Sequence, residues 1–321
     1  MKNIYITEGD PTGISYEIFD SAFPVIKKKS NKYNFIFVSS QNQINPKYSK
    51  NFEIIENISD FKNAFTKKSN LYHFKTNILT KTEEKKIILG TPSIYSGKCA
   101  FNSLLSAINL QKEFGGDIIT LPLSKEWVIA SGIKNFKGHT EVFAEKYNSK
   151  TFMLMYGKKL RVIPLTTHIP LKSVNSALAK IRISPLVKAI QKSHLLKSPR
   201  IGFCGLNPHA GENGKIGTEE KTIILPFIQE MKEQGLNVEG PISADSLFIP
   251  EISKNYDLIF ACYHDQGLIP FKSLEGKNGI NVTLGLNFLR VSPDHGTAFD
   301  IAGKNIADPE SFIQCIKVLT K

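Results

Sequence analysis

The chain has 321 residues, 41% of them apolar and 22% charged, with a formal net charge of +12 and 4 cysteines. That length exceeds one small core and suits two domains or one large α/β unit. No apolar run approaches the roughly 18 residues needed to span a membrane, and the first residues run straight into a strand without a signal-peptide core. Cys99, Cys204, Cys262 and Cys315 form no C-x-x-C pair, so reduced thiols in the cytoplasm are expected. The lysines are scattered or in short runs such as Lys27-Lys-Lys29, without aromatic interleaving or zinc-finger spacing. That pattern argues against nucleic acid and suits a phosphorylated small molecule.

In chain order, Lys2–Thr7 reads as a strand, Glu8–Ile18 as a turn entering a helix, and Asn34–Ser39 as the second strand of a βαβ unit. The first turn lacks G-x-G-x-x-G, which argues against the usual dinucleotide fold. Residues 41–90 are polar and suggest only short strands at Phe52–Ile55 and Lys86–Leu89. From Ser93 to Phe114 a helical period carries Ala100, Leu104, Leu105, Ala107 and Ile108 on one face, and Gly115-Gly116 stops it. Asp117–Pro122 is the next strand, with Lys125 just beyond it. His139 and Thr140 fall at a helix start, where Thr140 also reads as an N-cap. Thr151–Tyr156 and Leu160–Thr166 form a hairpin about Gly157-Lys158, and a helix of about 20 residues from Leu171 leads to a strand at Arg200. A helix from Thr218 to Gln234 ends at Gly235, and Asn237–Phe248 is another entry from loop to helix. Tyr256–Tyr263 is a buried strand, strands follow at Gly279–Gly285 and from Leu289, and the last helix starts at Asp308. The alternation of β and α predicts a three-layer α/β protein.

At the centre of this order stands Ile201-Gly-Phe-Cys-Gly-Leu-Asn-Pro-His-Ala-Gly-Glu-Asn-Gly-Lys-Ile-Gly-Thr-Glu-Glu220. It reads as a strand end, a glycine-rich loop, and a helix entered at Thr218 with Glu219 and Glu220 in its first turn. His209 projects just past the strand, where open α/β sheets place their ligands. His168 in Leu165-Thr-Thr-His-Ile-Pro170 and His264 in Ala261-Cys-Tyr-His-Asp-Gln-Gly267 stand in matching places. Each alone is an ordinary hydrogen-bonded histidine. Three strand-end histidines from separate segments are what a catalytic metal site with an open position needs, and the pattern also suits a zinc hydrolase.

The stretches Gly9-Asp-Pro-Thr-Gly-Ile14, Gly138-His-Thr-Glu141, Leu165–Pro170, Asn207-Pro-His-Ala-Gly-Glu212, Gly240-Pro-Ile-Ser-Ala-Asp-Ser-Leu-Phe248, Tyr263-His-Asp-Gln-Gly267 and Asp294-His-Gly-Thr-Ala-Phe-Asp300 are collinear and run nearly end to end. Together they resemble the 4-hydroxythreonine-4-phosphate dehydrogenases of pyridoxal phosphate biosynthesis. Coverage is thinnest over residues 41–90, and Ser15-Tyr16 stands where that family has Gly-Pro. The resemblance implies NAD-dependent oxidation of the C3 hydroxyl of 4-phosphooxy-L-threonine to 2-amino-3-oxo-4-phosphooxybutanoate. That β-keto acid loses carbon dioxide to give 3-amino-2-oxopropyl phosphate. It also implies a divalent metal (Zn, Mg or Co) on His168, His209 and His264, and substrate contacts at His139, Thr140, Asp245, Lys272, Asn281 and Arg290. Lys272 and Arg290 suit the phosphate and Asp245 the ammonium. The general base stays open among Lys125, Asp265 and a metal-bound water. A sister enzyme acting on threonate or erythronate 4-phosphate would share all of this except the ammonium contact.

His295-Gly-Thr-Ala-Phe-Asp-Ile-Ala-Gly303 is similar to the adenosine-binding loop of isopropylmalate and isocitrate dehydrogenases. This implies coenzyme contacts at His295, Gly296, Thr297, Ala298, Asp300 and Ile301. Asp300 followed by Ile301, where NADP users tend to carry lysine and tyrosine, points to NAD. The same likeness implies a three-layer α/β/α fold of two domains sharing a mixed sheet, with the active-site cleft between them. The expected domains are residues 1–135 with 286–321, and residues 136–285 with the metal and substrate residues. A homodimer with its active site at the subunit interface is expected.

Overall fold

The apolar runs near the start become β1 (Lys2–Thr7), β2 (Tyr33–Ser39), β3 (Glu53–Ile55), β4 (Leu71–Lys75) and β5 (Asp117–Ile119) in the computed structural model, which describes residues 1–40, 46–64 and 70–321. Further on come β6 (Phe152–Tyr156), β7 (Arg161–Pro164), β8 (Arg200–Cys204), β9 (Asn237–Ile242), β10 (Leu258–Ala261), β11 (Ile280–Leu284) and β12 (Arg290–Pro293). The chain divides into two units, Met1–Val142 with Phe288–Lys321, and Phe143–Asn287. The α/β class is as expected. The division puts His139 and Thr140 in the first unit, not the second. Phe136 packs edge-on against Phe101 at 5.8 Å between ring centroids, which ties that segment to the helix Ile94–Phe114.

In the first unit the strand order is β3-β4-β2-β1-β5-β12, and its ladders run parallel. β1 is buried on both faces, as a central parallel strand requires, with Ile4, Tyr5 and Ile6 fully inaccessible. The helix Ser15–Lys29 lays Ile18, Phe19, Ala22, Phe23 and Ile26 on the core, the Phe19 ring tilted against Phe37 at 4.2 Å between centroids. The helix Ile94–Phe114 starts in a capping box between Ser93 and Ser96 and stops at Gly115, whose φ of 66° favours glycine. Within residues 41–90 the strand expected at Phe52–Ile55 is present as β3. Lys86–Leu89 is not a strand; Lys86 and Ile87 close turns on Glu83 and Glu84. β4 went unread because His73 interrupts its apolar run, and burial there is tolerated because His73 Nε2 meets Ser39 Oγ at 2.7 Å.

In the second unit the order is β11-β6-β7-β10-β8-β9; β7, β10, β8 and β9 run parallel while β6 pairs antiparallel with β7 and β11. Val162, Leu247, Ile259, Ala261 and Phe271 form its fully buried core, each large side chain contributing roughly 1.5–3 kcal/mol. The long helix expected from Leu171 is broken into a 3-10 turn Leu171–Ser173 and helices Val174–Leu178 and Ser184–Lys192. Pro185 is the reason: it begins a helix readily but cannot continue one. Glu275, at the end of the helix His264–Glu275, accepts the N–H groups of Lys158, Lys159 and Leu160 at 3.0, 2.5 and 2.7 Å, closing the β6–β7 hairpin.

Candidate active site

β10 lies between β7 and β8, so the segments carrying His168, His209 and His264 leave three neighbouring parallel strands at the same end. The backbone of Cys262 ties them together. Thr166 Oγ1 donates to Cys262 O at 2.8 Å; Gln266 Oε1 accepts the Cys262 N–H at 2.6 Å, and Gln266 Nε2 donates to Gly205 O at 2.8 Å. Thr166 precedes His168 by two residues and Gln266 follows His264 by two. Neither was singled out in the sequence. The rings of His168 and His264 come to 5.7 Å between centroids. His264 Nδ1 lies 2.7 Å from Asp265 Oδ1, which leaves Nε2 as the free ring nitrogen. A carboxylate on the far nitrogen is the usual support of a metal-binding histidine.

His168 and His264 are thus two of the three expected ligands that the structure brings together. His209 does not join them: among the described residues no group of three His, Cys, Asp or Glu side chains stands close enough to hold an ion. Asp245, an exposed residue, is held below the usual carboxylate range by Ser243 Oγ at 2.5 Å, then by the Ser246 backbone and, to a lesser degree, by His209.

The loop that carries His209 has an unusual backbone. His209, Ala210, Gly211, Glu212 and Asn213 are all left-handed, with φ between 43° and 76°. Each non-glycine residue there costs about 1–2 kcal/mol, so the turn persists only where its surroundings hold it. Asn207 N–H donates to Glu220 Oε1 at 2.7 Å, and Asn207 Nδ2 to Glu219 Oε2 at 2.9 Å and Glu220 Oε2 at 3.0 Å. Lys221 Nζ reaches Asn213 O at 2.5 Å. A Cβ on Gly211 would collide with the Glu220 carboxylate. The regular helix expected from Thr218 instead opens with a π turn, Glu220–Ile224, before the α-helix Leu225–Glu233.

The remaining expected residues are spread over both units. In the second, Lys272 is exposed on the helix His264–Glu275, and Asn281 on β11 has a buried Oδ1 with no hydrogen-bond partner among the described residues. In the first, Lys125 is exposed at the start of a short helix capped by Ser124. His139 opens the helix His139–Lys146, followed by Thr140, and its Nε2 is buried with no partner among the described residues. Burial, and then the Arg290 charge, push this imidazole well below its ordinary range, so it is neutral at pH 7. Arg290 is 2% exposed, donates to Thr120 Oγ1, and burial pushes it down to about 10.

The loop His295–Gly303 rests on the Gly9–Ile14 turn. Ile14 N–H donates to Thr297 O at 3.0 Å, Gly303 N–H donates to the Glu17 carboxylate, and any Cβ on Gly13 would strike Thr297. His295 Nδ1 lies 3.0 Å from Gly296 O, while Nε2 is buried with no partner among the described residues. Ala298 is left-handed, and Ile301 N–H closes the turn on Ala298 O at 3.2 Å. Asp300 is exposed. The turn is thus closed by backbone, without Asp300 as its cap.

Residues 31–319 match the family model of the pyridoxal phosphate biosynthetic protein PdxA. The chain is 39% identical over 325 residues to the 4-hydroxythreonine-4-phosphate dehydrogenase of Sulfurihydrogenibium sp. (strain YO3AOP1), covering 99% of this chain and 97% of that one. It is 42% identical over 237 residues to the D-threonate 4-phosphate dehydrogenase of Cupriavidus necator, covering 71% and 70%. The crystal structure of 4-hydroxythreonine-4-phosphate dehydrogenase from Klebsiella pneumoniae aligns over 100% of both chains with a TM-score of 0.78 at 31% identity. A β-decarboxylating dehydrogenase from Thermococcus kodakarensis, at 13% identity and a TM-score of 0.50 over 100% of this chain and 83% of that one, shares the fold alone. The chain is a dehydrogenase, and it belongs to the family of the pyridoxal phosphate biosynthetic protein PdxA.

Proposed function

We propose that the chain oxidises the C3 hydroxyl of 4-phosphooxy-L-threonine with NAD, giving 2-amino-3-oxo-4-phosphooxybutanoate, which decarboxylates to 3-amino-2-oxopropyl phosphate. The reading rests on the three histidine segments gathered about Cys262, in a chain similar over nearly its whole length to a dehydrogenase of that name. Two bound groups would supply the redox chemistry: NAD as the hydride acceptor, and a divalent metal (Zn, Mg or Co), which His168, His209 and His264 would hold once a second copy of the chain completes the set, as the Lewis acid.

The chain's own residues bind and orient. Asp265 holds the His264 ring and is assigned that role ahead of proton abstraction. Neutral His139 offers its unpartnered Nε2 to a substrate hydroxyl, with Thr140 beside it. Asn281 Oδ1 and the Asp245 carboxylate accept from the substrate ammonium. Lys272 meets the phosphate, and Arg290, too buried to close over it, adds positive charge behind His139. His295–Ile301 holds the adenosine. A second copy of the chain is proposed to complete the metal set. Leu171 and Ile269, at 68% and 64% exposure, are apolar residues flanking the histidine segments that such a partner would cover. Four free, buried cysteines suit the cytoplasm.

The D-threonate 4-phosphate relative supports a second reading, with hydroxyl in place of ammonium. Asp245 can accept from an ammonium or a hydroxyl alike; the match over nearly the whole chain is what puts the ammonium substrate first. Turnover of the two substrates with NAD, side by side, separates the readings. We expect kcat/KM to favour 4-phosphooxy-L-threonine by about tenfold or more; a preference for threonate 4-phosphate would replace this proposal with the second.

A further inference from the structure

We propose that Glu220 is the positioning residue for His209, a carboxylate strut that holds the left-handed turn from which this imidazole projects. The inference rests on the reading of His209 as a ligand in the active site. The turn supplies little of its own support: Ala210 N–H reaches Asn207 O at 3.1 Å, Lys215 N–H reaches Glu212 O at 3.2 Å, and Ile216 N–H reaches Gly211 O at 3.2 Å. Asn207 is the residue from which the left-handed run departs, and it stays extended, with φ of −91° and ψ of 159°.

Glu220 fixes that departure point with both oxygens, one on the Asn207 backbone N–H and one on Asn207 Nδ2. Its side chain is 4% exposed and wedged against Gly211, where no Cβ fits. The π turn shows how Glu220 reaches this place. Consecutive residues of an α-helix point about 100° apart, yet Glu219 and Glu220 converge on one Asn207 Nδ2 at 2.9 and 3.0 Å. An inserted residue in the first helical turn permits it, and such insertions concentrate at functional sites.

Only an acceptor can serve both contacts, so Glu220→Gln is the isosteric test. Its amide would keep the bond to the Asn207 N–H but set an NH2 against Nδ2, donor against donor. Hydrogen exchange is measured on the full chain at Ala210, Lys215 and Ile216, with β10 as the internal control, and Co2+ affinity is titrated in parallel. We expect the turn amides to exchange about tenfold faster or more, the β10 amides to be unchanged, and Co2+ to bind about 10–100-fold more weakly. Should Glu220→Gln fail to fold, Asn207→Ala removes the Nδ2 donor that Glu219 and Glu220 share and carries the same expectation. Turn amides as protected as in the parent overturn the strut. Accelerated exchange with unaltered Co2+ affinity overturns the link to His209. If the parent chain binds no Co2+ at all, the metal reading falls and takes the link with it, while the exchange arm still decides whether Glu220 holds the turn.

Discussion

His264 Nδ1 and Asp265 Oδ1 stand 2.7 Å apart on adjacent residues, and this contact leaves Nε2 as the open nitrogen of the ring. The two side chains are 38% and 71% exposed, so the pair contributes little to folding and serves orientation. Asp265→Ala should weaken divalent-metal binding by about 10–100-fold with a melting temperature close to the parent's. Titration with Zn2+ or Co2+ checks this, and an unchanged affinity would return Asp265 to the candidates for general base.

Glu275 is the opposite case, a carboxylate 3% exposed that satisfies three consecutive N–H groups of the β6–β7 turn. Glu275→Ala should cost about 2–4 kcal/mol, since it strands the buried Leu160 N–H and removes charge-assisted bonds. Gly157→Ala should be destabilising for a related reason, because its Cβ would collide with the same carboxylate. Urea denaturation measures both. A Glu275→Ala midpoint equal to the parent's would show that water replaces the carboxylate without loss.

Two buried groups of the first unit bias stability in opposite directions. Burial raises Glu8 from 4.5 to about 7, so its contribution is full below pH 4.5 and is lost as pH rises through 7. Burial lowers His73 from 6.5 to about 4, so its contribution is full above pH 6.5 and is lost as pH falls through 4. Each amounts to about 3 kcal/mol, and between pH 4.5 and 6.5 they oppose each other. Glu8→Gln should therefore leave a stability that climbs from pH 4 to 6.5, and His73→Gln one that declines from pH 4.5 to 7. Denaturant midpoints at several pH values test the pair; parallel profiles for the two variants would refute both assignments.

Much of the frame was legible because hydrophobic period and punctuation agree. Ile94–Phe114 carries an apolar stripe, a serine box and a terminal glycine, and the histidines follow apolar runs that become β7, β8 and β10. The supports of the site were not legible, because each works across a long separation. Thr166 meets Cys262 96 positions away and Gln266 meets Gly205 61 positions away, and neither has a local pattern. Glu219 and Glu220 read as ordinary acids of a first helical turn, although the structure uses them to hold a left-handed loop. Arg290 shows a further limit: the sequence displays its charge but not its burial.

The proposed use of NAD rests on Asp300. Its turn is closed by the Ile301 N–H on Ala298 O, and the carboxylate is exposed, free to accept from ribose hydroxyls. A 2′-phosphate there would meet like charge, a cost of several kcal/mol where solvent is partly excluded. NAD should be preferred by about a hundredfold, and Asp300→Lys should narrow or reverse that ratio. Equal use of NADP by the parent chain, or an unchanged ratio in the variant, would contradict the assignment.

The proposed chemistry requires that the three histidine segments hold a metal. The most direct measurement is the divalent metal bound per chain in the parent and in His168→Ala, His209→Ala and His264→Ala, with folding followed by circular dichroism. Each substitution should strip the metal and abolish NAD reduction on 4-phosphooxy-L-threonine while the fold persists. Metal retained in the His209 variant, or full turnover in a parent chain freed of metal by a chelator, would contradict the proposed chemistry.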